Sequence, residues 1–219
     1  MGSASKVVWV VVVAGGSGTR FGGLKQLARL GDRRVIDWSM EVAGSVGEGV
    51  VLVLPQAEIG VVPGSGWPVH SVVGGGTTRS DSVRCGLEAV PERAEVIVVH
   101  DGARPLASQA LFHSVLAGLD DQDLDAVLPG VAVTETLKRV VGSRVACTVD
   151  RSDLVTVQTP QAFRAGSLRR AHEQAPQATD DAALVEMGGG VIGVVLGETS
   201  NIKLTTPEDL VLAEKLIGP

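Results

Sequence analysis

Apolar residues follow two spacings along this chain. Residues 6–13, 50–54, 69–73, 95–99 and 126–131 form short, largely apolar runs without polar alternation. Runs of this kind are expected of strands covered on both faces, as in a parallel sheet. A further strand is expected at 191–196. Between the runs, apolar positions recur at three and four residues: Ile36, Met40 and Ala43; Val83, Leu87 and Val90; Leu111, Val115 and Leu119; Leu210, Ala213 and Leu216 or Ile217. That is the period of helices with one inward face. Another helix is expected at 164–173. Ser108 reads as an N-cap, and Thr206-Pro207-Glu208-Asp209 opens the last helix with a cap, a first-position proline and acidic residues. Thr179, ahead of Asp180 and Asp181, reads as the cap of one more. The alternation predicts an α/β fold, a mostly parallel sheet flanked by helices, in one domain over residues 1–219.

One segment breaks the alternation. Residues 133–149 read as a β-hairpin turning at Gly142-Ser143. We expect an arm over residues 133–152 that projects from the core. A long exposed hairpin edge needs cover, and pairing with a second subunit is a common solution, so a homodimer through the arm is expected.

Composition narrows the partners. With 44% hydrophobic residues in 219, the chain can bury a sizeable core. A formal charge of −6, no tyrosine and 3% aromatics argue against a nucleic-acid surface or a base-stacking platform. A base, if bound, would be read by backbone and hydroxyl groups. Cys85 and Cys147 lack metal-ligand spacing and read as free thiols. The first apolar run is too short to span a bilayer and no cleavage pattern follows it, so no membrane partner and a cytoplasmic location are expected. Residues 1–5 are small and polar and read as a disordered end.

The chemistry gathers where strands run into glycines. After the first run comes Ala14-Gly15-Gly16-Ser17-Gly18-Thr19-Arg20, then Lys25. Glycines let backbone N–H groups approach an anion, and the two cations can follow a phosphorus centre as it reacts. Two familiar phosphate loops are excluded. The dinucleotide fingerprint fails because Phe21 stands at its third glycine, and the Walker pattern fails because Leu24 separates Gly23 from Lys25 and Gln26 replaces the hydroxyl. A second glycine loop, Gly74 to Gly76, leads through Thr77, Thr78 and Arg79 to Ser82 at a helix start, a good edge for an anion or nucleotide. Asp101 and Arg104, in His100-Asp101-Gly102-Ala103-Arg104-Pro105, lie just beyond a strand's carboxyl end, where open α/β sheets bind ligands. His100 itself reads as structural.

Taken in order, the first loop with Lys25, G-G-G-T-T-R-S-D-S-V, H-D-G-A-R-P, T-E-T-L-K, V-D-R, T-P-Q-A-F, T-D-D-A and N-I-K-L-T-T-P-E-D-L resemble a known family. It is that of the cytidylyltransferases acting on 2-C-methyl-D-erythritol 4-phosphate in isoprenoid biosynthesis. The resemblance implies a Rossmann-like fold, a homodimer joined through the arm, CTP and a polyol phosphate as substrates, and Mg²⁺ held mainly by the triphosphate, with no protein metal ligands assigned. It implies that Arg20 and Lys25 are catalytic, stabilising the α-phosphate as it is attacked. Ala14, Gly15, Gly16 and Gly18 would meet the nucleotide, as would Gly76 and Ser82 on the cytosine and ribose side. Asp101, Arg104, Thr159 and Lys203 would hold the acceptor. Thr136 and Arg151 would reach the neighbouring subunit's site. The chain departs from the family pattern at Leu24, Gly102 and Glu135 and in a short gap from Arg20 to Lys25. A cytidylyltransferase for another polyol phosphate, such as ribitol 5-phosphate, shares nearly every motif. A molybdopterin guanylyltransferase shares the first loop but not the later ones. A non-catalytic nucleotide-binding module would not need both cations.

Overall fold

The computed structural model describes residues 6–16, 18, 21–60, 69–173 and 177–218. Arg20 and residues 1–5 lie outside the described residues. The strands are β1 (Val8–Val13), β2 (Arg29–Leu30), β3 (Arg33–Arg34), β4 (Gly49–Leu54), β5 (Val69–Gly74), β6 (Val96–Asp101), β7 (Ala126–Ala132), β8 (Leu137–Val141), β9 (Arg144–Val149), β10 (Val155–Val157), β11 (Gln161–Arg164) and β12 (Ile192–Leu196). The helices are α1 (Val35–Val46), α2 (Arg79–Glu88), α3 (Gln109–Gly118), α4 (Ala165–His172), α5 (Asp181–Met187) and α6 (Pro207–Leu216).

The main sheet runs β7-β11-β6-β1-β4-β5, with β10 and β12 also pairing β7. The pairs among β6, β1, β4 and β5 are parallel, and so is β12 on β7. Only β10 and β11 run against their neighbours. The unbroken apolar runs are explained by cover on both faces. Val11, Val51 and Val53 pack toward α2 and α4, on Val83, Leu87 and Leu168. Val10, Val12 and Leu52 pack toward α1 and α3, on Ile36, Met40, Phe112 and Val115. A third cluster of Leu30, Val35, Leu204 and Ala213 fixes α6 and the segment before it to the start of α1.

Some expectations shift. The stretch 155–163 forms two strands, β10 and β11, separated at Gln158-Thr159-Pro160, where the Thr159–Pro160 peptide is cis. The cap of α5 is Asp180, whose carboxylate accepts from the Ala183 amide, and not Thr179. Thr179 stands one residue too early for its hydroxyl to meet that turn. Ser108 caps α3 as expected, its side chain accepting from the Leu111 amide. In α6, Ala213 is buried, and of the two alternatives Ile217 packs against the same cluster while Leu216 is exposed. β8 and β9 form a separate two-stranded antiparallel sheet with Gly142 at φ 60° in its turn. Val140, Val141 and Val145 on it are all more than half exposed.

The register decides where the chemistry lies. Val13 is level with both Val53 and Asp101, so β1, β4 and β6 end together. The next residues continue the ladder: Ala14 donates to Val53 O (2.8 Å), Gly75 to Leu54 O (2.7 Å) and Gly102 to Val13 O (2.9 Å). All three loops therefore open at one carboxyl edge of the sheet, the usual ligand edge of an α/β fold.

Candidate active site

Two adjoining clefts occupy that edge. The larger, about 470 Å³, is lined by the first glycine loop with Lys25, by Gly76 to Arg79 and Ser82, and by Asp101, Ala103 and Lys203. The smaller, about 310 Å³, is lined by Arg104, the 157–161 break, Thr179 and Asp180. Arg79, Asp101 and Lys203 line both, so they form the wall between them.

The larger cleft is built by close backbone approach. A Cβ on Gly75 would stand 2.8 Å from Ser82 Oγ and 3.4 Å from Gly15 Cα, so a side chain there would crowd the Ser82 hydroxyl where the two glycine loops meet. A Cβ on Gly76 would stand 2.3 Å from that of Asp81. Thr78 caps α2 in a reciprocal box with Asp81, which leaves the helix start facing the cleft. The Ser82 hydroxyl donates to Thr78 O (2.9 Å). Buried Gln26 braces the first loop from below, donating to Ala14 O (2.9 Å) and Gly16 O (3.3 Å). Gly18 lies away from the cleft lining. Its φ of 64° and a Cβ position 1.8 Å from Gly23 O reserve the position for glycine. Lys25 lines the cleft despite the short loop, with Nζ donating to Leu204 O (2.7 Å).

The shared wall is ionic. Asp101 accepts from Arg79 Nε (3.2 Å) on one oxygen and from Lys203 Nζ (2.6 Å) on the other. Burial by itself would raise the Asp101 pKa, but Arg79 and then Lys203 outweigh it and hold the carboxyl below its ordinary range. Burial likewise opposes the charge on Arg79, yet Asp101 and Asp181 together raise its pKa. The Arg79 Nη1 donates to Asp181 (2.7 Å), which is fully buried and is met on its other oxygen by His172 Nε2 (3.1 Å).

Behind the smaller cleft runs a chain of neutral hydrogen bonds. Thr159 Oγ1 accepts from the Asp101 amide (3.0 Å), so its own hydrogen is directed to His100 Nδ1 (3.2 Å), and His100 Nε2–H then donates to Arg104 O (3.3 Å). Burial pushes the His100 pKa down to about 4, which keeps this chain of bonds neutral. His100 is structural, as expected. Asn201 Nδ2 donates to Thr159 O (2.9 Å), and Arg104 Nη1 donates to Asn201 O (2.7 Å); this ties the strap before Lys203 to the break between β10 and β11. Burial lowers the Arg104 pKa, and its buried Nε has no partner among the described residues. A buried guanidinium with an idle donor is costly until an anion arrives.

Of the residues singled out from sequence, Ala14, Gly15, Gly16, Lys25, Gly76, Ser82, Asp101 and Lys203 meet at the larger cleft. Asp101, Arg104, Thr159 and Lys203 meet at the smaller. Thr136 and Arg151 line neither, are exposed, and form no ion pair among the described residues. Sequence reasoning assigned no role to Arg79, Gln26 or Asp181. Arg79 carried a usable signal: a cation in the first turn of a helix has the wrong sign for the helix dipole and calls for an acidic or phosphate partner.

The carboxyl-edge clefts, the glycine loops and the cationic wall define a nucleotide-binding α/β domain built for phosphate chemistry. The sequence profile described as "IspD: 2-C-methyl-D-erythritol 4-phosphate cytidylyltransferase" matches residues 8–218, and the chain belongs to that family. It is 43% identical over 94% of its length to the bifunctional enzyme IspD/IspF of Nitratidesulfovibrio vulgaris (strain DP4), of which it covers 57%. It thus spans little more than half of that relative. It is 39% identical to the 2-C-methyl-D-erythritol 4-phosphate cytidylyltransferase of Syntrophotalea carbinolica, with 96% of each chain covered. Among solved structures, that of 4-diphosphocytidyl-2C-methyl-D-erythritol synthase from Anaerococcus prevotii DSM 20548 is similar at a TM-score of 0.84 and 28% identity, covering 98% of this chain and 99% of that one. The 2-C-methyl-D-erythritol 4-phosphate cytidylyltransferase of Thermus thermophilus gives a TM-score of 0.80 at 33% identity, covering 94% and 97%.

Proposed function

We propose that the protein transfers a cytidylyl group from CTP to 2-C-methyl-D-erythritol 4-phosphate, releasing pyrophosphate and forming 4-diphosphocytidyl-2-C-methyl-D-erythritol. The observation that carries this is the pair of clefts divided by Arg79, Asp101 and Lys203. A nucleotide in the larger cleft and a phosphate monoester in the smaller would face each other across that wall. An acceptor phosphate oxygen attacks the α-phosphorus in line, a new P–O bond forms, and the bond to the bridging oxygen of pyrophosphate breaks. A phosphate monoester is already anionic near neutral pH, so the nucleophile needs no general base. Catalysis then rests on placement and on charge that follows the reacting phosphorus.

In this reading Lys25 and Arg20 stabilise the crowded α-phosphate. The backbone of Ala14 to Gly16 and of Gly76 holds the triphosphate and cytidine, and Ser82 buttresses the second loop. Arg104, Thr159 and Lys203 hold the acceptor. Asp101 keeps Lys203 and Arg79 in place until substrates enter. Asp101 is the only carboxylate lining the larger cleft among the described residues, and both its oxygens are engaged by cations. Those residues fit a magnesium ion carried on the triphosphate, not one caged by the protein. Such an ion would supply neutralisation of the leaving pyrophosphate.

The hairpin of β8 and β9 supports a homodimer, because its exposed valines need cover. Thr136 and Arg151, beside it, would then complete the partner's smaller cleft. A cytoplasmic setting fits substrates of this kind, and among the described residues no helix is long and apolar enough to cross a membrane.

The test is pyrophosphate release from CTP with 2-C-methyl-D-erythritol 4-phosphate, run beside ribitol 5-phosphate, with and without Mg²⁺. Turnover with the first acceptor alone is expected. CTP binding without release would sink the assignment, and preference for ribitol 5-phosphate would reassign the acceptor. Mixed dimers of Arg20→Ala and Arg151→Ala chains should recover part of the activity; no recovery would overturn the cross-subunit role.

A further inference from the structure

One buried charged group is not absorbed by these roles. Asp181 is fully buried at the first turn of α5 and lines neither of the two clefts. It binds Arg79 Nη1 with one oxygen and His172 Nε2 with the other. His172 lies 4% exposed in the last turn of α4. Its Nδ1 is buried without a partner among the described residues. An idle lone pair is a modest cost, whereas an idle buried N–H would be a large one, so the hydrogen sits on Nε2 and points at Asp181.

We infer that His172 and Asp181 are positioning residues that aim the Arg79 guanidinium at the wall between the two clefts, where it bridges the acceptor phosphate and the nucleotide during transfer. This inference rests on the proposed cytidylyl transfer. The geometry makes the aim specific. Arg79 stands at the first residue of α2, where the helix dipole repels a cation. Held by Asp101 alone, through Nε, the planar fork could swing. The second bond, from Nη1 to a carboxylate that is itself fixed, sets the plane of the group. Nη2 makes no hydrogen bond among the described residues, so the outer edge of the fork is left for phosphate oxygens. Arg79 can exchange Asp101 for an incoming anion while Asp101 keeps Lys203. Asp181 has no cleft exposure and cannot exchange, so it is the fixed end of the device. His172 matters because α4 and α5 meet at this pair, which removes the last freedom from the Asp181 carboxylate.

Three variants in the full chain test this. His172→Gln retains a side-chain N–H donor and should keep most of the activity. His172→Leu keeps the volume and loses the donor; its kcat should fall about tenfold with CTP affinity little changed. Asp181→Asn should lower kcat by on the order of a hundredfold, since misplacement of a reacting group by about 1 Å has that scale. The second readout is the Arg79 side-chain N–H signal in NMR without substrate. It should be slow to exchange with solvent in the wild type and in His172→Gln, and fast in His172→Leu. Equal activity of His172→Gln and His172→Leu would overturn the inference. So would an Arg79 signal unmoved by His172→Leu in a protein that turns over. A wild type with a protected Arg79 signal but no turnover would instead overturn the proposed reaction and leave the positioning device standing. If Asp181→Asn does not fold, the two His172 variants decide the matter.

Discussion

The two clefts are built by opposite means. The larger is made mainly from backbone: two glycine loops, each leaving a parallel strand, meet at one edge of the sheet. The smaller is made from long-range pieces. Arg79 meets Asp181 across 102 residues, Asp101 meets Lys203 across 102, and Arg104 meets Asn201 across 97. The difference teaches that phosphate binding needs mainly backbone N–H groups, which any tight loop supplies, while holding a second anion against the first needs fixed cations. Fixed cations need buried carboxylates, and these come from wherever the fold can bring them. The larger cleft should therefore respond to changes in shape and the smaller to changes in charge.

The largest effect expected is at Lys25, which lines the larger cleft but is anchored on the strap of the smaller one through Leu204 O. Lys25→Ala should lower kcat by on the order of a hundred- to a thousandfold, as for removal of a group that stabilises transition-state charge. CTP binding by calorimetry should fall far less. Equal losses would show that the amine only binds.

The pH dependence of stability should separate the clefts next. His100 has its pKa pushed down to about 4 from 6.5 by burial. Between those values the unfolded chain binds a proton that the folded chain does not. Stability is therefore full above about pH 6.5 and is lost as pH falls toward 4, by about 3 kcal/mol in all. His100→Asn should be less stable at neutral pH yet show a shallower fall between pH 6.5 and 4 in urea titrations. An unchanged slope would mean that the smaller cleft does not depend on a neutral His100.

A smaller loss, about 2 kcal/mol, is expected for Asp101→Asn. Lys203 is partly exposed and can turn to water, and Arg79 keeps Asp181, so the loss should stay below the full cost of breaking a buried pair. The acceptor KM should rise more than that for CTP. The reverse order would place Asp101 chiefly on the nucleotide. Smallest is Thr78→Ala, which removes the cap of α2 and should cost about 1 kcal/mol. It alters only the larger cleft, so it should raise the KM for CTP and leave that for the acceptor. A change in both would break the comparison.

By itself the sequence determined the alternation of strands and helices. Both-face burial leaves unbroken apolar runs such as 50–54, and one-face burial leaves a spacing such as that of Leu111 and Val115. It also marked the two glycine loops of the larger cleft, where Gly76 is required by the close approach of nearby Asp81. Lys203 and Asp101 were visible as chemistry and, through resemblance, as one site. Only the tertiary structure decided that Asp101 is shared between Lys203 and Arg79 and that Asp181 is buried against Arg79. It also decided that β10 and β11 break apart to place Thr159 against the Asp101 amide. The physical reason is separation along the chain. A steric rule or a period is written in neighbouring residues, but an ion pair formed across about half the chain leaves no local mark until the sheet brings its members to one edge.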